Sequence, residues 1–121
     1  MKIGQLSARS GASIDTIRFY ERRGVLPTPV RRSSGYREYD EAVIDRVLLV
    51  RRLQSVGLTL DEIVEFLPAH DRGGVSCDSE RWRLDAAQRR IRERIDELIL
   101  VESAIIEAKA DCAAGHCSLT A

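Results

Sequence analysis

Apolar residues fall seven apart at Leu84, Ile91, Leu98 and Ile105, with Ala87, Ile95, Val101 and Ala108 beside them. Neither Gly nor Pro interrupts the run, and Arg81, Arg83, Arg89, Arg90, Arg92, Glu93 and Glu97 occupy the other faces. This spacing predicts one amphipathic helix over residues 76–110, with a coiled-coil seam sustained for about three heptads.

The preceding pattern is of shorter elements. Ile3, Leu6 and Ala8 open a helix that Gly11 ends. Ser13 then caps a second helix, Ile14 to Arg23, which Gly24 stops. Ile14 and Ile17 are expected to pack inward, leaving Asp15, Thr16 and Arg18 facing out. Two short helices joined by a tight Gly-containing turn read as a helix-turn-helix, whose second helix leads into the DNA major groove with its N-terminal side chains. Leu26-Pro27-Thr28-Pro29 is an extended connector. Beyond it, Val30-Arg31-Arg32 and Tyr36-Arg37-Glu38-Tyr39 flank Ser33-Ser34-Gly35 as a small hairpin. Asp40 caps a third helix carrying Val43, Ile44, Val47, Leu48, Val50 and Leu53, which stops at Gly57. Thr59-Leu60-Asp61-Glu62 is a capping box for a fourth helix, with Ile63, Val64, Phe66 and Leu67, expected to end at Pro68.

The pattern therefore predicts an all-α fold with a small β-hairpin wing. A winged helix-turn-helix head spans residues 1–68 and a linker with Gly73-Gly74 spans 69–75. The dimerisation helix covers 76–110, and a loop and tail cover 111–121. In 121 residues with few aromatics, much of the apolar surface belongs to helix seams, which calls for a partner subunit. No apolar run approaches the ~20 residues of a membrane span, and Met1-Lys2-Ile3 begins no secretory signal, so the expected location is cytoplasmic.

Net charge is zero, so only its distribution informs. Between Thr16 and Arg37 stand Arg18, Arg22, Arg23, Arg31, Arg32 and Arg37 against the single acid Glu21, with Phe19, Tyr20 and Tyr36 among them. A charge run alone is as well explained by a solvated face. Six arginines interleaved with tyrosines favour phosphate contact, because the guanidinium fork matches phosphate oxygens. Tyr20 has two readings, a hydroxyl reaching phosphate or a half-buried core aromatic.

Three cysteines, an odd count, argue for reduced thiols rather than a disulfide framework. Cys77 and Cys112 lie 35 residues apart, roughly 50 Å on one straight helix at about 1.5 Å per residue. Two copies paired antiparallel would bring Cys77 of one chain beside the Cys112–Cys117 loop of the other.

Four ordered motifs resemble the MerR family of bacterial transcription regulators. They are Ile3-Gly4-Gln5-Leu6, then Thr16-Ile17-Arg18-Phe19-Tyr20-Glu21-Arg22-Arg23-Gly24, Gly35-Tyr36-Arg37-Glu38-Tyr39, and Gly57-Leu58-Thr59-Leu60-Asp61-Glu62-Ile63. The resemblance implies a winged-helix head, an antiparallel coiled-coil homodimer and an effector site at the coil ends. By the same resemblance, Thr16, Arg18, Tyr20, Tyr36 and Arg37 touch operator DNA, and Arg31 joins them at the wing tip. It further implies a palindromic promoter operator, served by RNA polymerase, that the dimer distorts when effector binds. The rival of another class, a small metal-handling thiol protein or enzyme, would leave the arginine-rich head unexplained, so no enzyme is expected.

The metal-sensing branch of that family places cysteines where Cys77, Cys112 and Cys117 stand, and a cysteine at the first position marks sensors of divalent ions. Three thiolates suit a soft divalent ion: Hg(II), Cd(II), Pb(II) or borderline Zn(II). The Cys112–Cys117 loop is shorter than is usual in the branch. His116 is either a fourth ligand or an exposed loop histidine. Against metal stand two other readings, small apolar cysteines and a redox sensor forming a Cys112–Cys117 disulfide.

Overall fold

The computed structural model describes the chain except for residues 28, 32–34, 36, 118, 120 and 121. Among the described residues the elements are α1 (Ile3–Ser10), α2 (Ile14–Arg23), β1 (Val30–Arg31), β2 (Arg37–Glu38), α3 (Ala42–Ser55), α4 (Leu60–Asp71) and α5 (Cys77–Ala113). They fall into two compact units, Met1–Leu84 and Asp85–Ala121.

The first unit is built on an apolar core in which Leu6, Ile17, Val25, Val47, Val50 and Ile63 are sealed from solvent. Val43, Val47 and Val50 recur at four and three residues, so α3 buries one stripe; Leu60, Ile63, Phe66 and Leu67 do the same for α4. Each such side chain contributes about 1.5–3 kcal/mol on burial. Ile14 departs from expectation. It is 37% exposed, because the first turn of α2 projects beyond the core that takes Ile17.

Serine hydroxyls fix the turn between α1 and α2. Ser7 Oγ donates to the Ala12 carbonyl at 2.6 Å, and the Ala12 N–H donates to Ser10 Oγ at 3.2 Å. Ser13 Oγ accepts from the Thr16 N–H at 3.1 Å, capping α2 as expected. The strands pair antiparallel, Val30 opposite Glu38 and Arg31 opposite Arg37. Asp40 Oδ1 accepts from the Ala42 N–H at 2.9 Å to start α3. Thr59 and Glu62 form the expected reciprocal box at the head of α4.

Two helix ends differ from the sequence-based expectation. Helix α4 does not stop at Pro68 but continues to Asp71, and the Arg72 N–H still donates to the Pro68 carbonyl at 3.2 Å. A proline near a helix end forfeits one backbone bond, a loss that Phe66 and Leu67 in the core outweigh. The actual stop is Gly73, at φ +72°. The Gly73 N–H donates to His70 O and the Gly74 N–H to Ala69 O, which closes a Schellman motif. Likewise α5 runs past Ala110, so Cys112 sits in its last turn rather than in the loop. Ala113 and Ala114 are strong helix formers, and nothing opposes them until Gly115 at φ +84°. At the other end of α5, Ser76 and Ser79 cap each other reciprocally, N–H to Oγ at 2.9 and 3.1 Å.

Within the second unit, the seam residues Ile91, Leu98 and Ile105 are half exposed or more. No helix among the described residues is long and apolar enough to cross a membrane.

Candidate DNA interface and thiol pair

An open groove of about 1110 Å³ lies between α1, α2 and the hairpin, lined by Lys2, Gln5, Arg18, Glu21, Arg22, Arg37 and Tyr39 among others. Arg18 is exposed on α2 at this groove. Arg37 faces it from β2, 42% exposed, with Nη1 donating to Glu21 Oε2 at 2.7 Å. Thr16 stands half exposed on the first turn of α2, with Oγ1 2.8 Å from Ser13 Oγ. Arg31 enters as a strand position opposite Arg37. Tyr36 lies outside the described residues.

Tyr20 is a core aromatic, 3% exposed, rather than a side chain projecting from α2. Its hydroxyl donates to Gln54 Oε1 at 2.5 Å, and burial raises the phenol above its ordinary value while Arg51 pulls it down. Of its two sequence readings, the core one describes this position.

The arrangement also collects residues the sequence did not single out as DNA contacts. Lys2, Gln5 and Arg22 complete the basic groove. A second groove of about 400 Å³ joins Ser13, Thr16 and Tyr20 to Arg51 and Gln54 of α3. Arg51 Nη1 donates to the Ser10 carbonyl at 3.4 Å, which ties α3 to the end of α1. The periodicity of α3 marks only its apolar positions, so its polar face carried no signal. Phe19, 39% exposed, is flanked by the guanidinium carbons of Arg22 and Arg23 at 5.8 and 5.7 Å from its ring.

The thiols are placed by the end of α5. The Gly115 N–H donates to Cys112 O at 3.2 Å and the His116 N–H to Asp111 O at 2.8 Å, another Schellman closure. This reversal sets Cys117 beside Cys112, whose Sγ donates to Cys117 Sγ at 3.3 Å, both as free thiols. The hydrogen bond to Cys117, and then burial, raise the Cys112 thiol above its usual value. Two sulfurs bound at about 2.3 Å to one tetrahedral ion stand about 3.8 Å apart, so the pair fits a shared soft ion after opening by about half an ångström. His116 follows the turn, exposed. Cys77 begins α5, also exposed, and among the described residues no three candidate donors form a cluster. The end of α5 thus brings two sulfurs together.

A helix-turn-helix with a two-stranded wing, presenting arginines along one groove, defines a DNA-binding transcription regulator rather than an enzyme. The profile of MerR HTH family regulatory proteins matches residues 1–70, and that of the MerR DNA-binding region matches residues 44–108. The chain belongs to the MerR family. It is 34% identical to a mercuric resistance operon regulatory protein of Bacillus cereus, over 92% of this chain and 84% of that one. The lead(II)-bound transcription regulator PbrR691 of Ralstonia metallidurans CH34 superposes with a TM-score of 0.81 at 33% identity, covering 92% of this chain and 87% of the other. The mercury(II)-bound MerR of Bacillus megaterium MB1 gives 0.66 at 27% identity, covering 91% and 85%.

Proposed function

We propose that this chain is a cytoplasmic, homodimeric sensor of a soft divalent ion that regulates a metal-resistance promoter. The observation that carries the reading is the Cys112–Cys117 pair, held 3.3 Å apart by a helix-ending turn with no apolar core for either thiol to fill. The half-exposed seam on α5 supplies the dimer contact. Antiparallel pairing brings Cys77 of one protomer to Cys112 and Cys117 of its partner, so each end of the dimer holds one ion, with His116 as an available fourth donor. Three thiolates favour Hg(II), Pb(II) or Cd(II), and a Cys3His set extends the choice to Zn(II). A relative named for mercuric resistance and neighbours solved in complex with lead(II) and mercury(II) support this range.

At the DNA end, Arg18, Arg37 and the Arg31 position approach the phosphates of a palindromic operator, while Thr16 leads α2 into the major groove. Ion binding favours one arrangement of the two heads, and the distorted operator is then used by RNA polymerase. An ion shifts such an equilibrium only by its differential affinity for the two arrangements, a few kcal/mol here. The test is anaerobic competition of Zn(II), Cd(II), Hg(II), Pb(II) and Cu(I) for the purified protein and its Cys77→Ser variant, followed by transcription from the operator. One divalent ion per protomer, lost with Cys77, is expected. A monomer that captures ions through all three thiols overturns the proposal.

The same 3.3 Å separation favours a second reading, two-electron oxidation of Cys112 and Cys117 to a disulfide by a peroxide. Full transcriptional response to metal under strictly reducing conditions excludes it as the signal.

A further inference from the structure

Arg83 lies six residues beyond Cys77 on α5, within the first compact unit, and only 12% of its side chain is exposed. Arginine is rarely buried so deeply without full pairing. Here Nε donates to Glu80 Oε2 at 2.7 Å, and the guanidinium carbon stands 4.3 Å from the centre of the Trp82 ring. Nη1 points toward Glu65 Oε2 on α4 across 3.5 Å, an ion pair too long for a good hydrogen bond. Sealed from solvent, Nη1 has no hydrogen-bond partner among the described residues. A buried donor left in this state is costly, and a shift of well under one ångström between α4 and α5 would satisfy it.

The backbone between these helices passes through Gly73, in the left-handed region, and Gly74 before α5 begins at Cys77. The Arg83–Glu65 pair is a side-chain tie across this connection, from the start of α5 to α4, whose Ile63, Phe66 and Leu67 share one core with Ile17 of α2.

We propose that Arg83 is the positioning residue that transmits the state of the Cys77 end of α5 to the DNA-binding head, through Glu65. The open contact at 3.5 Å is one arrangement, and a closed, hydrogen-bonded contact is the other. An ion held at Cys77 that shifts the first turns of α5 selects between them. This rests on the ion-sensing reading above. Arg83 itself touches neither ion nor DNA in this role.

The test uses the full-length protein and two variants. Glu65→Ala removes the partner at a side chain that is 70% exposed, so the fold is not at risk. Arg83→Lys keeps the charge but cannot both pair with Glu80 and reach Glu65. Hg(II) stoichiometry, operator affinity of the metal-free form and Hg(II)-stimulated run-off transcription are measured for each. Both variants should keep the first two at wild-type values. Stimulation should fall at least roughly fivefold in Glu65→Ala, the low end of usual coupling strengths, and less in Arg83→Lys. Equal stimulation in wild type and Glu65→Ala overturns the inference, as does an equal loss of metal-free operator affinity, which would mark a merely structural contact. A wild type that binds Hg(II) without any stimulation overturns the sensing reading, and this inference with it.

Discussion

Arg37 and Glu21 join the wing to the recognition helix. The guanidinium of Arg37 on β2 donates to one carboxylate oxygen of Glu21 on α2 at 2.7 Å, while the Tyr39 hydroxyl donates to the other. Glu21 is 11% exposed, so the lone acid in the arginine-rich stretch acts inward as an anchor rather than outward as a repulsive charge. Burial, and then Glu21, raise the Tyr39 phenol, which keeps it protonated as a donor.

Glu21→Ala should therefore cost more than a surface charge. It leaves the Tyr39 hydroxyl without its acceptor and Arg37 without its guide, an expected loss of about 1.5–3 kcal/mol in urea unfolding. Operator affinity should fall with it. Arg37→Ala leaves the mostly buried Glu21 carboxylate without its guanidinium, so it too should cost about 1–3 kcal/mol, and it should also weaken binding to all DNA sequences alike and reduce the salt slope by about one.

Ile17 and Ile14 form an internal control, one sealed and one 37% exposed on the same helix. Ile17→Ala should cost about 2–5 kcal/mol in chemical denaturation, and Ile14→Ala well under about 2. Equal losses would mean that α2 is seated differently.

Gly115→Ala places a side chain at φ +84°, at a cost of about 1–2 kcal/mol in that region. The turn that sets Cys117 against Cys112 should loosen, so ion affinity should fall although every thiol is retained. Isothermal titration under anaerobic conditions reads this directly. Cys112→Ser should abolish high-affinity binding.

Asp71 gives a pH signature. Desolvation raises its carboxyl, but the hydrogen bond and charge of Arg46, helped by His70, outweigh that and hold it below its ordinary value. A lowered folded pKa means stabilisation that is present above the unfolded carboxylate value and lost as pH falls through the folded one. Asp71→Asn should thus melt earlier than wild type at neutral pH, by less than about 1 kcal/mol for so exposed a pair, with the difference closing in acid.

Much of the fold was legible because local rules and the core agree. Both ends of α2 follow from Ser13 and Gly24, and the capping box from Thr59 and Glu62. The failures came where one local rule was weighed against packing. Pro68 looked like a stop, yet Phe66 and Leu67 anchor that turn and Gly73 supplies the real one. Periodicity placed Ile14 inward because it cannot tell a helix's first turn from its middle. At the candidate site, residue types and order singled out Arg18 and Arg37, which the fold sets on one groove, and the C-x4-C pair, which it brings together. They did not disclose that Tyr20 is spent on Gln54, that Glu21 steers Arg37, or that Arg83 is buried between Glu80 and Glu65, since these depend on contacts across elements.

The hydroxyl-pinned turn between α1 and α2 bears on how defective alleles should be distributed. Ser7 and Ser10 set the approach of α2 to α1 without lining the basic groove themselves. A random genetic screen for promoter-blind mutants should therefore recover changes at these two serines alongside those at the basic groove.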